Sequence, residues 1–175
     1  YEGEESYRGN PTKTNEEVEN AVHKAVEEER QLLAHCNGDA AAEQYIQACQ
    51  KQPIEKLKKI RPVMIHAQTV RKDQLEEMKK IGMIPSFFIA HVYYWGDIHL
   101  KNLGEDRGSF ISPAKSAEEL GLIYTFHQDS PVLPPNMLET IWCAVNRTTK
   151  NGVLLGKEEQ ISVYEALKAV TIWAT

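Results

Sequence analysis

Three histidines and an aspartate are distributed along this 175-residue chain in a pattern that can assemble metal chemistry. His35, His66, His91 and Asp129 follow one another at separations of 31, 25 and 38 residues. Each lies at or just past the end of a short apolar run: 31–35, 61–66, 83–88 and 122–126. Neutral imidazole and carboxylate are ligands for zinc and similar divalent ions. An ion held this way lowers the pKa of water to ~7 and polarises a carbonyl. An aspartate beside it can carry a proton from that water to a leaving amine. A single histidine at a strand end is more often hydrogen-bonded or solvated than a ligand. What carries weight is recurrence. A (β/α)8 barrel of ~250 residues allots ~31 residues to each unit and gathers its strand C-termini at one mouth. One metal-competent residue per unit would then face one point.

The elements that must position these groups alternate. A helix is expected over 15–30, opened by Thr14 or Asn15, with Glu16 and Glu17 in its first turn and Val18, Ala21, Val22, Ala25 and Val26 on one face. After the strand over 31–35, Asn37-Gly38-Asp39 reads as a turn, with Asp39 capping a helix over 40–50. A short helix over 53–59 precedes the strand over 61–66. An amphipathic helix over 71–81 closes at Gly82 before the strand over 83–88. Residues 92–113 read as a long loop rich in aromatics, glycine and charge, a kind that is usually functional or mobile. A helical piece over 116–121 leads into the strand over 122–126. Prolines between 131 and 135 make a rigid turn, and further helices start at Asn136 and at Ser162, the latter with Glu165 in a capping box. Strands alternating with helices imply a parallel sheet, and nearly all-apolar strands imply one covered on both faces. The fold class expected is α/β, a partial TIM barrel.

Composition narrows the function classes. A net charge of -5 and a pI near 5.7 argue against nucleic-acid binding. No apolar run approaches the ~20 residues of a membrane span. Residues 1–10 are polar and acidic, unlike a signal peptide, and the missing initiator Met leads us to expect a chain trimmed from a longer one. Cys36, Cys49 and Cys143 are odd in number and lack a C-x-x-C pair, which favours reduced thiols and a cytoplasmic location. Asn146-Arg147-Thr148 matches a glycosylation sequon but falls in an expected helix.

Several segments carry a family likeness. His35-Cys36-Asn37-Gly38-Asp39-Ala40-Ala41, Arg61-Pro62-Val63-Met64-Ile65-His66-Ala67-Gln68 and Gln128-Asp129-Ser130-Pro131-Val132 resemble the amidohydrolase superfamily, in its YtcJ-like branch. So do the runs over 141–149 and 165–171, and the likeness covers nearly the whole chain. It implies that residues 1–175 are a single C-terminal half-barrel segment, strands five to eight with their helices. It implies hydrolysis of C–N bonds in a small amide-type substrate, with a divalent metal, zinc first. His35 and His66 then correspond to the metal histidines of the fifth and sixth strands. His91 corresponds to a substrate-side histidine, and Asp129 to the eighth-strand aspartate that binds metal and shuttles the proton.

The departures are as informative. No His-x-His occurs, and the fourth-strand lysine or acid and the flanking β-sandwich of the family find no counterpart. Where the family commonly reads Gly-Ser-Asp, this chain has His127-Gln128-Asp129. His127, two residues from Asp129, is either an extra polar group of the site or a core histidine. Trp95, Asp97, His99 and Arg107, in the expected loop, are either a substrate lid or solvated residues; Trp95 and Arg107 join His91 and His127 as substrate-binding candidates. Cys36 reads as a small buried residue on the opposite strand face rather than a nucleophile. Asp39 reads as a cap, while Glu27 to Glu29 and His23 read as surface. Two functions therefore stand side by side: a fragment of a metal-dependent hydrolase with Asp129 as base, and a non-catalytic half-barrel module. On either, the isolated chain is expected to have little activity and to form homo-oligomers through exposed edge strands.

Overall fold

The computed structural model describes residues 2–4, 6 and 10–175. Four strands form one sheet: β1 (Leu33–Cys36), β2 (Val63–His66), β3 (Ile84–Phe87) and β4 (Thr125–Phe126). They lie in the order β1-β2-β3-β4, each pair parallel. Parallel neighbours need crossover connections, which helices supply. Helix α1 (Asn15–Glu27) leads in, and α2 (Asp39–Gln50) with α3 (Ile54–Ile60) joins β1 to β2. Helix α4 (Lys72–Ile81) joins β2 to β3, and α5 (His91–Ser109) with α6 (Ala114–Glu119) joins β3 to β4. Helices α7 (Met137–Asn146) and α8 (Val163–Val170) follow, and a 3-10 turn (Ile172–Ala174) ends the chain. Four successive β/α units in sequential order are the arrangement expected of part of a barrel.

Local chemistry explains most of the boundaries. The Thr14 hydroxyl accepts the Glu17 N–H at 3.2 Å while the Glu17 carboxylate accepts the Thr14 N–H at 2.8 Å, so α1 opens on a full capping box. Gly82, left-handed at φ 73, closes α4. Behind the sheet, Tyr45, Ile46, Leu57, Leu75 and Met78 pack against Met64 and Phe87, all essentially inaccessible to solvent. Each such side chain contributes about 1.5–3 kcal/mol by leaving water.

Four expectations need correction. Asp39 is not a cap: Gly38 holds the N-cap of α2 without a side-chain bond, and the Asp39 carboxylate lies 3.6 Å from Arg71. The fourth strand is two residues long, because Gly121 and Leu122 still donate to Glu118 and Ala117 and so belong to the exit turn of α6. The Ser162 hydroxyl caps α8 by accepting the Glu165 N–H, but the Glu165 carboxylate pairs with Lys168 at 2.6 Å rather than closing a box. The largest correction is the expected loop over 92–113. Most of it is α5, broken once at Gly104 (φ 77, ψ 172). No single apolar stripe marks it: only Val92, Gly96 and Gly108 are buried, two of them glycines, while Tyr94 and Ile98 are exposed. Its Tyr93 carbonyl accepts the Lys150 N–H at 2.9 Å, and its Asp97 carboxylate accepts the Thr149 hydroxyl at 2.9 Å. At Gly96 an added Cβ would stand 2.7 Å from a Thr149 methyl and 3.1 Å from a Leu155 methyl, so only glycine allows this approach.

The residue that organises these contacts is Arg147, fully buried just past α7 and left-handed at φ 48. Its guanidinium donates to the carbonyls of Leu155 (2.8 Å), Ser112 (3.2 Å), Ser109 (3.3 Å) and Ile111 (2.8 Å). Burial pulls its pKa down to about 10, with Glu159 opposing, so the group stays charged at neutral pH. At Gly156 a side chain would collide with the Ser109 carbonyl that Arg147 grips. Arg147→Met leaves the buried carbonyls of Leu155 and Ile111 without a donor, at about 1–3 kcal/mol each. It also strips a bond from the part-buried Ser109 carbonyl and from that of Ser112, which keeps the Ala114 N–H. We expect a stability loss on the order of 4 kcal/mol or more in urea unfolding, partly recovered by Arg147→Lys; a loss below about 1 kcal/mol contradicts this role.

Candidate functional site

Strand alternation alone would keep His35 and His66 apart. In the parallel register His35 pairs with Ile65, and His66 pairs with Cys36. His66 therefore starts on the same sheet face as the buried Met64, opposite His35. The chain breaks this alternation at the strand end, where His66 (φ 72) and Ala67 (φ 46) are both left-handed. The His66 ring thereby comes to 4.4 Å from that of His35, edge to face. Two consecutive left-handed non-glycine residues cost of order 1–3 kcal/mol each, a cost concentrated at functional positions. Asp129 is left-handed too (φ 51), three residues past the end of β4.

Around His66 lies a cluster of rings. His127 sits 5.0 Å away and His91 6.5 Å away, centroid to centroid. Phe88 touches His91 (4.6 Å) and His127 (5.4 Å), and Trp95 packs beside both His91 (4.8 Å) and Phe88 (5.9 Å). His66 is 2% exposed, and neither of its ring nitrogens has a hydrogen-bond partner; the Nε2 of His127 has none either. Buried polar atoms are nearly always paired, so three orphaned nitrogens in one cluster mark a place built for something else to bind.

Burial also sets the charge state. Desolvation first, then the neighbouring His127 and His35, drive His66 down to about 4, with Asp129 opposing. Desolvation, then His99, His66 and His127, drives His91 down to about 3. His99 and His127 are likewise lowered by burial, with Asp129 and the Ser86 backbone opposing at His127. The rings are thus neutral near pH 7, the state in which imidazole binds metal.

The donor chemistry fits a divalent cation in kind. In number it falls short: among the described residues, no three His, Cys, Asp or Glu side chains are arranged to hold one ion. His35, His66, His91, His127 and Trp95 are brought together at the C-terminal end of the sheet. Asp129 is exposed beside them, its charge felt by His66 and His127. Arg107 is not in the ring cluster. It lines a separate cavity of about 360 Å³ with Lys72, Leu103, Asp106 and Phe110. Cys36 is buried and its thiol pushed up to about 12, so it is no nucleophile. His23 is on the surface, 3.3 Å from the Gln52 side chain. Asn146, the sequon residue, ends α7 with its amide donating to the Trp142 carbonyl.

Gln68 escaped sequence reasoning as a site residue, and His99, weighed there as part of a lid or as solvated, belongs to the ring cluster. His99 joins the cluster through Gln68, whose amide nitrogen lies 3.0 Å from His91 Nδ1 and 2.8 Å from His99 Nε2. The signal was available in hindsight: His91, Trp95 and His99 are four apart, one face of a helix, once 91–109 is read as helical.

Sequential parallel β/α units, with imidazoles gathered where the strands end, define a segment of a β/α-barrel hydrolase-type fold. The comparisons make that specific. The profile of the Amidohydrolase family matches residues 2–175, and the chain belongs to that family. It is 27% identical to YtcJ of Bacillus subtilis (strain 168), which carries an amidohydrolase name, over 98% of this chain and 32% of that protein. It superposes on an uncharacterized metal-dependent hydrolase from Pyrococcus horikoshii OT3 with a TM-score of 0.81, at 25% identity over 97% of this chain and 34% of the other. A second such hydrolase, from Pyrococcus furiosus, gives 0.77 at 22% identity, with 97% and 33% covered. The chain thus spans about a third of the length of these relatives. No helix is long and apolar enough, among the described residues, to cross a membrane.

The neutral buried rings predict an acid limit to stability. Their ordinary pKa is 6.5, and the folded values for His66 and His91 are about 4 and about 3. Unfolded chains therefore take up protons first as pH falls. Stability is full above pH 6.5 and is lost progressively as pH drops towards the folded values. Denaturation midpoints of the metal-free chain should fall between roughly pH 7 and 5, above the main carboxylate range; a flat profile there contradicts the burial of neutral rings.

Proposed function

We propose that this chain contributes the second half of the barrel, units five to eight, to a metal-dependent hydrolase that cleaves C–N bonds of amide type. The observation that carries the reading is His66: a buried ring at a strained strand end, both nitrogens unpartnered, 4.4 Å from His35. His35, His66 and Asp129 would be this chain's share of the ligands of a divalent ion, zinc being the first choice for imidazole and carboxylate donors, although in the chain alone the three are not arranged around one point. The remaining ligands would come from outside these 175 positions. Such an ion, when bound, makes water acidic enough to attack at neutral pH and polarises the substrate carbonyl. Asp129 accepts the proton of the attacking water on a carboxylate oxygen. As the carbon–oxygen bond forms and the carbon–nitrogen bond breaks, it returns that proton to the departing nitrogen. His91 faces the substrate, and His127 and Trp95 wall it on either side. Arg107, in its own cavity, would meet a distal part of the substrate.

Two measurements test this. Zinc or cobalt titrated into the chain should bind, and His35→Ala or His66→Ala should weaken that binding by about 10–100-fold; equal binding by all three proteins removes the metal assignment. In a longer protein that contains this segment and hydrolyses an amide, Asp129→Asn should abolish turnover while leaving the fold intact. Unchanged turnover means that another group is the base.

A second reading has its own support. Leu33 on the edge strand β1 is 56% exposed, and Leu138 and Ile172 are 78% and 66% exposed. A half-barrel module without activity of its own would cover such surface by pairing with another copy. Light scattering that shows a monodisperse monomer rules out this module.

A further inference from the structure

The ring cluster has an organiser that takes no part in the chemistry above. Gln68 is 5% exposed and sits two residues past His66. Its backbone carbonyl accepts the Ser112 N–H at 2.8 Å, which fixes the root of its side chain. Its amide nitrogen then meets two ring nitrogens at once, His91 Nδ1 at 3.0 Å and His99 Nε2 at 2.8 Å. Those two ring nitrogens are only 3.2 Å from each other.

Donor and acceptor counting turns this triangle into a statement about protons. A carboxamide nitrogen carries two hydrogens and offers no lone pair. Both ring nitrogens facing it must therefore be acceptors. A neutral imidazole has one bare nitrogen and one N–H. His91 then carries its hydrogen on Nε2, and His99 carries its own on Nδ1. The close approach of two bare nitrogens is tolerable because each receives one amide hydrogen. Burial, which disfavours the charged form of both rings, keeps the counting valid near neutral pH. Phe88 at 4.6 Å and Trp95 at 4.8 Å, themselves 5.9 Å apart, pack on adjacent sides of the His91 ring and hinder its rotation. Among the described residues, His91 Nε2 has no hydrogen-bond partner. Its hydrogen is free to be donated.

We propose that Gln68 is a positioning residue that holds His91 in its Nε2–H form, so that the ring presents one fixed donor to a substrate carbonyl oxygen. The proposal rests on the reading of His91 as the substrate-side histidine for its purpose, but not for its geometry. An oriented donor aimed at developing negative charge is worth on the order of 10²-fold in rate. The same ring in its other tautomer would offer a lone pair and repel that oxygen.

The test is the proton position itself, read on the resting 15N-labelled chain, without metal or substrate, by long-range proton–nitrogen correlation of the imidazoles. His91 should show Nε2–H and a bare Nδ1, and His99 the reverse. Gln68→Glu is isosteric and replaces the NH2 group, with its two donor hydrogens, by one acceptor oxygen facing both rings, so it should invert both tautomers. A wild-type His91 carrying its hydrogen on Nδ1 overturns the proposal, since the amide oxygen would then face the rings. Tautomers unmoved by Gln68→Glu overturn it as well; if that variant does not fold, the wild-type spectrum alone decides. Failure of the substrate-side reading looks different: correct tautomers, yet full turnover by His91→Phe in a longer amide-hydrolysing protein that contains this segment. With that reading intact, Gln68→Glu in such a protein should lower kcat on the order of 10²-fold and leave KM little changed.

Discussion

A single buried cation ties this structure together. Arg147 spends its guanidinium on four backbone carbonyls, three of them in the stretch that ends α5. One of these, Ser112, uses its own N–H to hold the carbonyl of Gln68. Gln68 in turn grips His91 and His99. A chain of hydrogen bonds therefore runs from the residue that ends α7 to the rings at the mouth of the sheet. An isolated charge in such a place is very costly, and it is tolerable here because peptide dipoles surround it and Glu159 lies within electrostatic reach. Arginine suits the position because its planar fork offers five donors in fixed directions, where lysine offers a point charge.

The site and its support share a backbone habit. Of the non-glycine residues with positive φ, His66, Ala67 and Asp129 lie at strand ends, while Ser112 and Arg147 lie at the supporting node. Each is a small local cost, and together they are paid where function and its scaffold meet. At His66 the benefit is visible. Without the left-handed step, the sheet register would direct this ring to the helix-facing side with Met64, and the pair with His35 would not form.

Much of the architecture was legible from the residues. Short β-branched and apolar runs, glycine stops and acidic first turns placed the strands and six of the helices to within a few residues, and the recurrence of histidine at strand ends pointed to the mouth. What stayed hidden has physical causes. Helix α5 buries only Val92, Gly96 and Gly108 and leaves Tyr94 and Ile98 exposed, so periodicity had no apolar stripe to find. Asp39 follows a turn like a cap, but Gly38 can occupy that backbone position and frees the carboxylate to meet Arg71. Arg147 looked like part of a sequon and a family run; nothing local announces that an arginine will be wholly buried. His99 was weighed only as lid or solvated for a related reason, since its link to His91 exists only once 91–109 is helical. The pairing of His35 with His66 depends on a dihedral angle that no spacing encodes.

The break at Gly104 gives α5 a division of labour. Its first part, carrying His91, Trp95 and His99, is locked at Gly96 against Thr149 and Leu155. Its second part ends at Ser109, held by Arg147, and its Arg107 and Asp106 line the separate cavity. The hydrogen-bond ladder is interrupted between them, yet the two parts stay in contact: at Gly108 an added Cβ would stand 3.0 Å from the Leu100 backbone and 3.2 Å from the His99 carbonyl. A side chain there would push directly on the part that carries the rings. A lineage therefore has room to change what the outer cavity accepts at exposed positions such as Asp106 and Arg107, and little room at the seam itself.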